Sequence, residues 1–453
     1  MAQHGETAAP GDESARARHG EPAKRWLWLV GALLAAWSLL LAHRSPVPSE
    51  DGVSYLWIAE RFAAGDFAAA LSTVFPPGYP LLLAPFVALG ANVEVAAHWL
   101  GALTLAATLW PLARLATLAG AATVWPVVLL FAASPLPPRL AAEVYSEPPY
   151  LLLMAWGAWF GCSGRLLAMG ACAAAAFWIR PEGSLLAASF VLVAPRRAWP
   201  SLLPVLLGVL LLAAWRWSVG HGFDPLPIHA FHEGRDDLPE RGRVLANLLQ
   251  VPGPWFEGLG FAGALVLPAL FRPGSRRLWP FVWQIALQVG VICTFVVRRR
   301  FFVSCAVAVH VLAGLVLARC PQGVQRIVLT LAIGIGLVSG WNGGIDADRA
   351  VERDLGAWLR PQLPSGERLI SDLPRVVYFA GAPPLPPRHF TGEQVLALVA
   401  APDVAIVVLR DRSERVPFAA LAPELGKRFD RVALPAGLAE AAAARGVAVF
   451  RRR

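Results

Sequence analysis

The chain has 453 residues, of which 56% are hydrophobic and only 16% charged. A water-soluble protein of that size needs a more polar surface, so these totals exclude an ordinary soluble enzyme and point to a polytopic membrane protein. The net charge of +9 comes almost wholly from arginine, and many of these arginines flank apolar runs, where they anchor and orient helices; that argues against nucleic-acid binding.

Residues 1–25 are polar and are expected to form a disordered cytoplasmic tail. No clean cleavage pattern follows, so the first apolar run, 26–43, is expected to stay as an anchor. Arg16, Arg18, Lys24 and Arg25 precede it and set its N-terminus inside. The loop from 44 to 78 then lies outside and contains SEDGVSYLWIAERFAAGD at 49–66. Apolar residues at 55, 56, 58, 59, 62 and 63 give helical spacing and suit a helix lying in the interface. Glu50 and Asp51 stand at its start, beside Gly52, which permits a tight turn. Either these carboxylates cap the helix, or one of them does chemistry at the membrane surface.

The next run, VFPPGYPLLLAPFVALG at 74–90, carries Pro76, Pro77 and Pro80 and reads as a helix dipping in from outside. Spans are then expected at 94–116 and 121–135, followed by an outer loop, 135–149, with Arg139, Glu143, Tyr145 and Glu147. Three short spans, 149–163, 166–179 and 184–195, come next; IRPEG at 179–183 returns Arg180 and Glu182 to the outer side. After a span at 198–217, the polar segment 218–254 holds His221, His229, His232, Asp236 and Asp237. Their spacing matches no strong metal site, so they read as a solvated loop, and neither a metal nor a cofactor is expected. Spans at 255–271, 279–297, 301–318 and 327–341 bring the total to about eleven. Cys162, Cys172, Cys293, Cys305 and Cys320 lie in or near spans without a CxxC pair and read as small buried hydrophobes.

One arginine cluster breaks the positive-inside pattern. Arg298, Arg299 and Arg300 land on the outer side, tight between two spans. Three guanidiniums there suit a phosphate or pyrophosphate, held by charge-assisted and often bidentate hydrogen bonds. Snorkelling to lipid headgroups is the alternative. The remainder, 342–453, changes character: GERLISD, DVAIVVL and GVAVF read as short strands of a small α/β domain. An odd number of spans puts it outside with Asp51. The fold class is therefore an all-α polytopic bundle, 26–341, with a small C-terminal α/β domain, 342–453.

The run from Asp51 through FPPGYPLLL resembles the bacterial integral-membrane glycosyltransferases with the C-type fold. These include relatives of protein O-mannosyltransferases, of the lipid A aminoarabinose transferase and of rhizobial core-sugar transferases. YSEPPYLLLM, WIRPEG at 178–183 and RRRFFV at 298–303 add to the likeness, although members often have Arg-Tyr where this chain has Arg300-Phe301. The resemblance implies a helical bundle with interfacial helices and an outward cavity. It implies a sugar donor on a polyprenyl phosphate and inversion at the anomeric carbon. It also implies a catalytic first-loop aspartate, here Asp51, with Glu50 able to share or replace that role.

The expected reaction transfers the sugar to a hydroxyl of a lipid, glycan or protein acceptor at the outer face of a bacterial cytoplasmic membrane. Asp51 would take the hydroxyl proton or steady developing positive charge, and Arg300, with Arg299 and Arg298, would hold the leaving phosphate. Tyr55, Tyr79, Glu147, Arg180 and Glu182 are candidates to line the cavity. For the tyrosines the ordinary reading is an aromatic belt, for Glu147 a helix start, and for Arg180 and Glu182 a mutual pair. A transporter or flippase of a glycan or lipid, or a membrane scaffold, are the alternatives. No paired repeat with matching broken helices supports the transporter.

Overall fold

Residues 26–42 carry no charge, and a helix satisfies every backbone group there without help from water. In the computed structural model this run belongs to α1 (Gly11–Arg44). The structure describes residues 11–226, 240–271, 276–294, 296–342, 347–363, 366–383, 392–410 and 425–453. Of the expected tail, 1–25, residues 1–10 lie outside the described residues.

After α1 come α2 (Glu50–Ala63), α3 (Phe67–Leu71), α4 (Gly78–Ala88) and α5 (Val93–Leu118). Prolines open the next three helices, α6 (Trp125–Ala132), α7 (Leu136–Ala142) and α8 (Glu147–Cys162), where a missing N–H costs nothing. They are followed by α9 (Leu166–Ile179), α10 (Ser184–Val193), α11 (Pro195–Ala198) and α12 (Leu202–Ser218). Beyond the polar segment lie α13 (Glu240–Gln250), α14 (Pro252–Leu259), α15 (Phe261–Leu265) and α16 (Leu267–Phe271). The bundle ends with α17 (Trp279–Thr294), α18 (Arg299–Phe302), α19 (Ala306–Ala318) and α20 (Gln322–Asn342).

Burial sorts these helices by sequence. The stretch 303–313, leading into α19, is buried throughout, as a helix apolar on every side must be. By contrast, α12 leaves Leu202, Leu203, Leu206, Leu207, Leu210 and Leu211 exposed, a continuous apolar face that suits hydrocarbon. Among the described residues, five helical stretches are long and apolar enough to cross a membrane: Arg25–Arg44, Val93–Leu118, Pro195–Ser218, Arg299–Ala318 and Gln322–Asn342. The pair Pro252–Leu259 and Phe261–Phe271 is long and apolar enough only when taken together, and it is bent by 118° at Gly260, which has φ +57°, the geometry of a broken span or a re-entrant loop. The expected spans at 121–135, 149–163, 166–179 and 184–195 fall on helices of only 8, 16, 14 and 10 residues.

The C-terminal part comprises α21 (Ala350–Leu359), β1 (Arg368–Ser371), α22 (Pro374–Phe379), α23 (Gly392–Ala400), β2 (Val404–Arg410), β3 (Phe429–Arg431), α24 (Ala436–Ala444) and β4 (Val447–Arg452). Its sheet has the order β1-β2-β4-β3, with β1 parallel to β2 and the other pairs antiparallel. VAIVVL in β2 is apolar at every position because both faces are covered. Ile406 and Val408 pack with Val351, Leu355 and Val376 of α21 and α22, while Val407 and Leu409 face Leu425 and Phe429. The helix α22 packs against α2, so the tail meets the bundle at the segment that carries Asp51.

Candidate active site

The site starts from a helix N-terminus. Ser49 caps α2: its Oγ accepts from Gly52 N at 2.8 Å, and its own N–H donates to the Glu143 carbonyl at 2.9 Å. Glu50 and Asp51 lie inside the first turn and do not cap it, which corrects the capping alternative. Gly52 is helical, not a tight turn. It is needed for close approach, since a Cβ there would stand 2.8 Å from the Glu143 carbonyl oxygen.

Asp51 forms an ion pair with Arg300, which comes from α18, 249 positions away; both side chains are about a quarter exposed. The Arg300 guanidinium also lies 5.1 Å from the ring centroids of Tyr145 and Phe301. Burial, and then the Asp51 charge, push the Tyr145 hydroxyl up to about 12, so it stays protonated. Tyr145 follows Val144, which sits at φ +62° while fully buried. A β-branched residue in that region is strained, and such strain is kept where surrounding structure dictates the backbone. Here the strained residue lies between Glu143, which holds Ser49, and Tyr145, which lies under Arg300.

A second group adjoins the first. Arg180 donates to Glu147 at 2.7 Å and to Glu182 at 3.1 Å, so the expected Arg180–Glu182 pair exists but is shared with Glu147. Glu147 is wholly buried. Phe301 lies between the two groups, 5.8 Å from the Arg180 guanidinium. Tyr55 and Tyr79 meet edge to face at 5.3 Å, and both are buried in the core, away from the aromatic-belt position. The Tyr55 hydroxyl lies 3.4 Å from Ser146 Oγ, and burial raises its pKa above the ordinary tyrosine value. Around this group several buried polar atoms have no hydrogen-bond partner among the described residues: Glu147 Oε2, Glu182 Oε2, Tyr79 Oη and Ser304 Oγ.

Of the remaining candidates, Arg299 and Glu50 point elsewhere. Arg299 approaches Glu257 at 3.8 Å, with both side chains about half exposed or more, so it does not converge on Asp51 with Arg300. Arg298 is the extended residue that opens α18. Glu50 turns toward the tail, 4.0 Å from Arg375. His221 donates from Nε2 to the Ala68 carbonyl at 2.6 Å, while His229, His232, Asp236 and Asp237 lie outside the described residues. Ser49, Ser146, Ser304 and Arg375 were not marked by sequence reasoning. The Ser-Glu-Asp order at a helix start signals the Ser49 cap, but the other three depend on tertiary packing.

None of the protein-family models and none of the curated proteins compared matches the chain. Solved structures do. ArnT from Cupriavidus metallidurans bound to undecaprenyl phosphate superposes with a TM-score of 0.63 at 16% identity, covering 94% of this chain and 98% of that one. The same protein in its apo state gives 0.60 at 16% identity, covering 95% and 98%. The arabinofuranosyltransferase AftD from Mycobacteria gives 0.53 at 16% identity, covering 94% of this chain and 41% of that one. At this identity the likeness establishes the fold, which is the C-type glycosyltransferase fold.

Proposed function

We propose that the chain is a membrane glycosyltransferase that moves a sugar from a polyprenyl phosphate to a hydroxyl acceptor at the outer face of a bacterial cytoplasmic membrane. The observation that carries this reading is the Asp51–Arg300 pair: a carboxylate and a guanidinium, a group suited to phosphate, in contact across 249 positions. The fold shared with ArnT, whose structure holds undecaprenyl phosphate, supports the donor class.

In the proposed reaction the acceptor oxygen attacks the anomeric carbon. The bond from that carbon to the phosphate oxygen breaks, and its electron pair leaves with the polyprenyl phosphate. Arg300 holds the phosphate where negative charge grows. Asp51 takes the acceptor proton. The two groups pair with each other in the structure, so an arriving phosphate competes for Arg300 and releases Asp51 to act as a base. Donor binding thereby readies the base without any large movement. Glu147, Glu182, Tyr79 and Ser304 offer unused hydrogen-bonding atoms for sugar or acceptor hydroxyls.

We place the N-terminus inside and about eleven spans across the bilayer, with the tail outside. The Asp51–Arg300 contact and the Arg375 contact with the Pro48 carbonyl support it, because each requires an even number of crossings between its partners. Single-cysteine labelling at positions 51 and 300 from one side only tests that layout.

The activity is tested with purified full-length protein, a radiolabelled polyprenyl-phosphate sugar and an envelope extract as acceptor source. Label should move to an acceptor as polyprenyl phosphate is released. Asp51→Asn should lower turnover by about 10²–10⁴-fold in protein that remains folded. Unchanged turnover in that variant would sink the assignment.

A further inference from the structure

The tail reaches the proposed catalytic turn through one buried side chain. Arg375, on α22, is 3% exposed. Its Nε donates to the Pro48 carbonyl at 2.6 Å, and one Nη donates to Glu352 Oε2 at 2.9 Å. Glu352 is itself 2% exposed, and its other oxygen takes Arg445 at 3.2 Å. Arg375 is therefore gripped from behind by a fixed anion and aimed in front at a backbone carbonyl. Three residues after that carbonyl comes Asp51. The turn is held at two further points, Ser49 N on the Glu143 carbonyl at 2.9 Å and Gly52 N on Ser49 Oγ at 2.8 Å. Both of those belong to the bundle, whereas the hold at Pro48 comes from the tail.

We propose that Arg375 is a positioning residue. It fixes the backbone from Pro48 to Gly52 so that Asp51 faces Arg300 and the reacting atoms, which makes the tail part of the active-site framework. This inference rests on the glycosyl-transfer reading above. A misplacement of about 1 Å at reacting atoms can cost up to about 10²-fold in rate, so the effect belongs in kcat and not in donor KM.

The same interface supplies a control. Arg353 of α21 pairs with Glu94 at 2.6 Å and docks the tail on the bundle without touching residues 48–52. Full-length wild type, Arg375→Gln, Arg375→Lys and Arg353→Gln are compared for kcat and donor KM with the radiolabelled polyprenyl-phosphate sugar. Folding is checked by size-exclusion chromatography. Arg375→Gln should lower kcat by about 10–10²-fold while donor KM stays within about threefold. Arg375→Lys should recover part of the rate, because its ammonium still reaches one acceptor, and Arg353→Gln should keep the wild-type kcat. Equal losses in Arg353→Gln and Arg375→Gln would mean that docking alone is being lost and would overturn the proposal, as would a wild-type kcat in Arg375→Gln. Should Arg375→Gln fail to fold, a kcat in Arg375→Lys no lower than in Arg353→Gln overturns it equally. An active Asp51→Asn would remove the glycosyl-transfer reading itself. An inactive Asp51→Asn beside a full-rate Arg375→Gln would remove only the role given to Arg375.

Discussion

Among the described residues, one buried acid–arginine cluster sits in the bundle and another in the tail. In the bundle, Arg180 holds Glu147 at 2.7 Å and Glu182 at 3.1 Å. In the tail, Glu352 holds Arg375 at 2.9 Å and Arg445 at 3.2 Å. The central glutamates are alike in burial, 0% and 2% exposed. They differ in what is left over. Both oxygens of Glu352 are used, whereas Glu147 and Glu182 each keep one oxygen without a protein partner. A buried polar atom left unsatisfied costs about 1–3 kcal/mol, more if charged. Folding alone does not favour that arrangement, and the proposed function gives those oxygens a use, as acceptors for hydroxyls of the sugar or its acceptor. Under the proposed function, the saturated cluster serves as a clamp and the unsaturated one as a receptor.

The sharpest way to break this comparison is to remove each carboxylate in turn. Glu352→Ala removes the anion that buried Arg375 pairs with, together with the contact to the partly exposed Arg445, and should cost about 3–5 kcal/mol, read as a fall in the unfolding midpoint of detergent-solubilised protein. An unchanged midpoint would deny the clamp. Glu147→Gln keeps the shape, and Arg180 retains Glu182, so the stability loss should stay below about 2 kcal/mol. Its turnover should nevertheless fall at least about tenfold, equivalent to one charge-assisted hydrogen bond to substrate. If Glu147→Gln instead unfolds the protein while sparing the specific activity of what remains, the two clusters are the same kind of device.

The sequence announced the bundle's site more clearly than the tail's. Asp51 stands in a long motif, and Arg300 stands out because its cluster violates the positive-inside pattern; the structure brings these two together across 249 positions. Arg299 and Arg300 of the triplet meet different acids. Successive residues on a helix point about 100° apart, so Arg299 on α18 turns to Glu257 while Arg300 meets Asp51. The strand β1 lies within GERLISD, while β2 and β4 start inside DVAIVVL and GVAVF and run one and two residues past them, because an apolar run between turn residues is a local signal. Arg375 carried no such signal. An arginine beside a proline in a polar tail looks solvated until the tail docks and buries it. The spans were hard to delimit for a related reason: prolines and Gly260 divide apolar runs whose composition alone reads as continuous.

The smallest expected effect concerns a carboxylate between the two extremes. Glu60, on α2, accepts from the Tyr378 hydroxyl of α22 at 3.0 Å, so it joins the bundle to the tail. Burial raises its pKa above the ordinary carboxyl value, opposed by the Tyr378 hydrogen bond and the Arg61 charge. A folded-state pKa above the unfolded one means that the folded form binds the proton more tightly. The associated stability is therefore fully present below the unfolded pKa and is lost as pH rises through the folded value. The unfolding midpoint of wild type relative to Glu60→Gln, which stays neutral, should accordingly decline as pH is raised through the acidic range and then level off. A midpoint difference that grows with pH would mean the carboxylate form is the one the interface favours, and would move Glu60 into the same class as the clamp at Glu352.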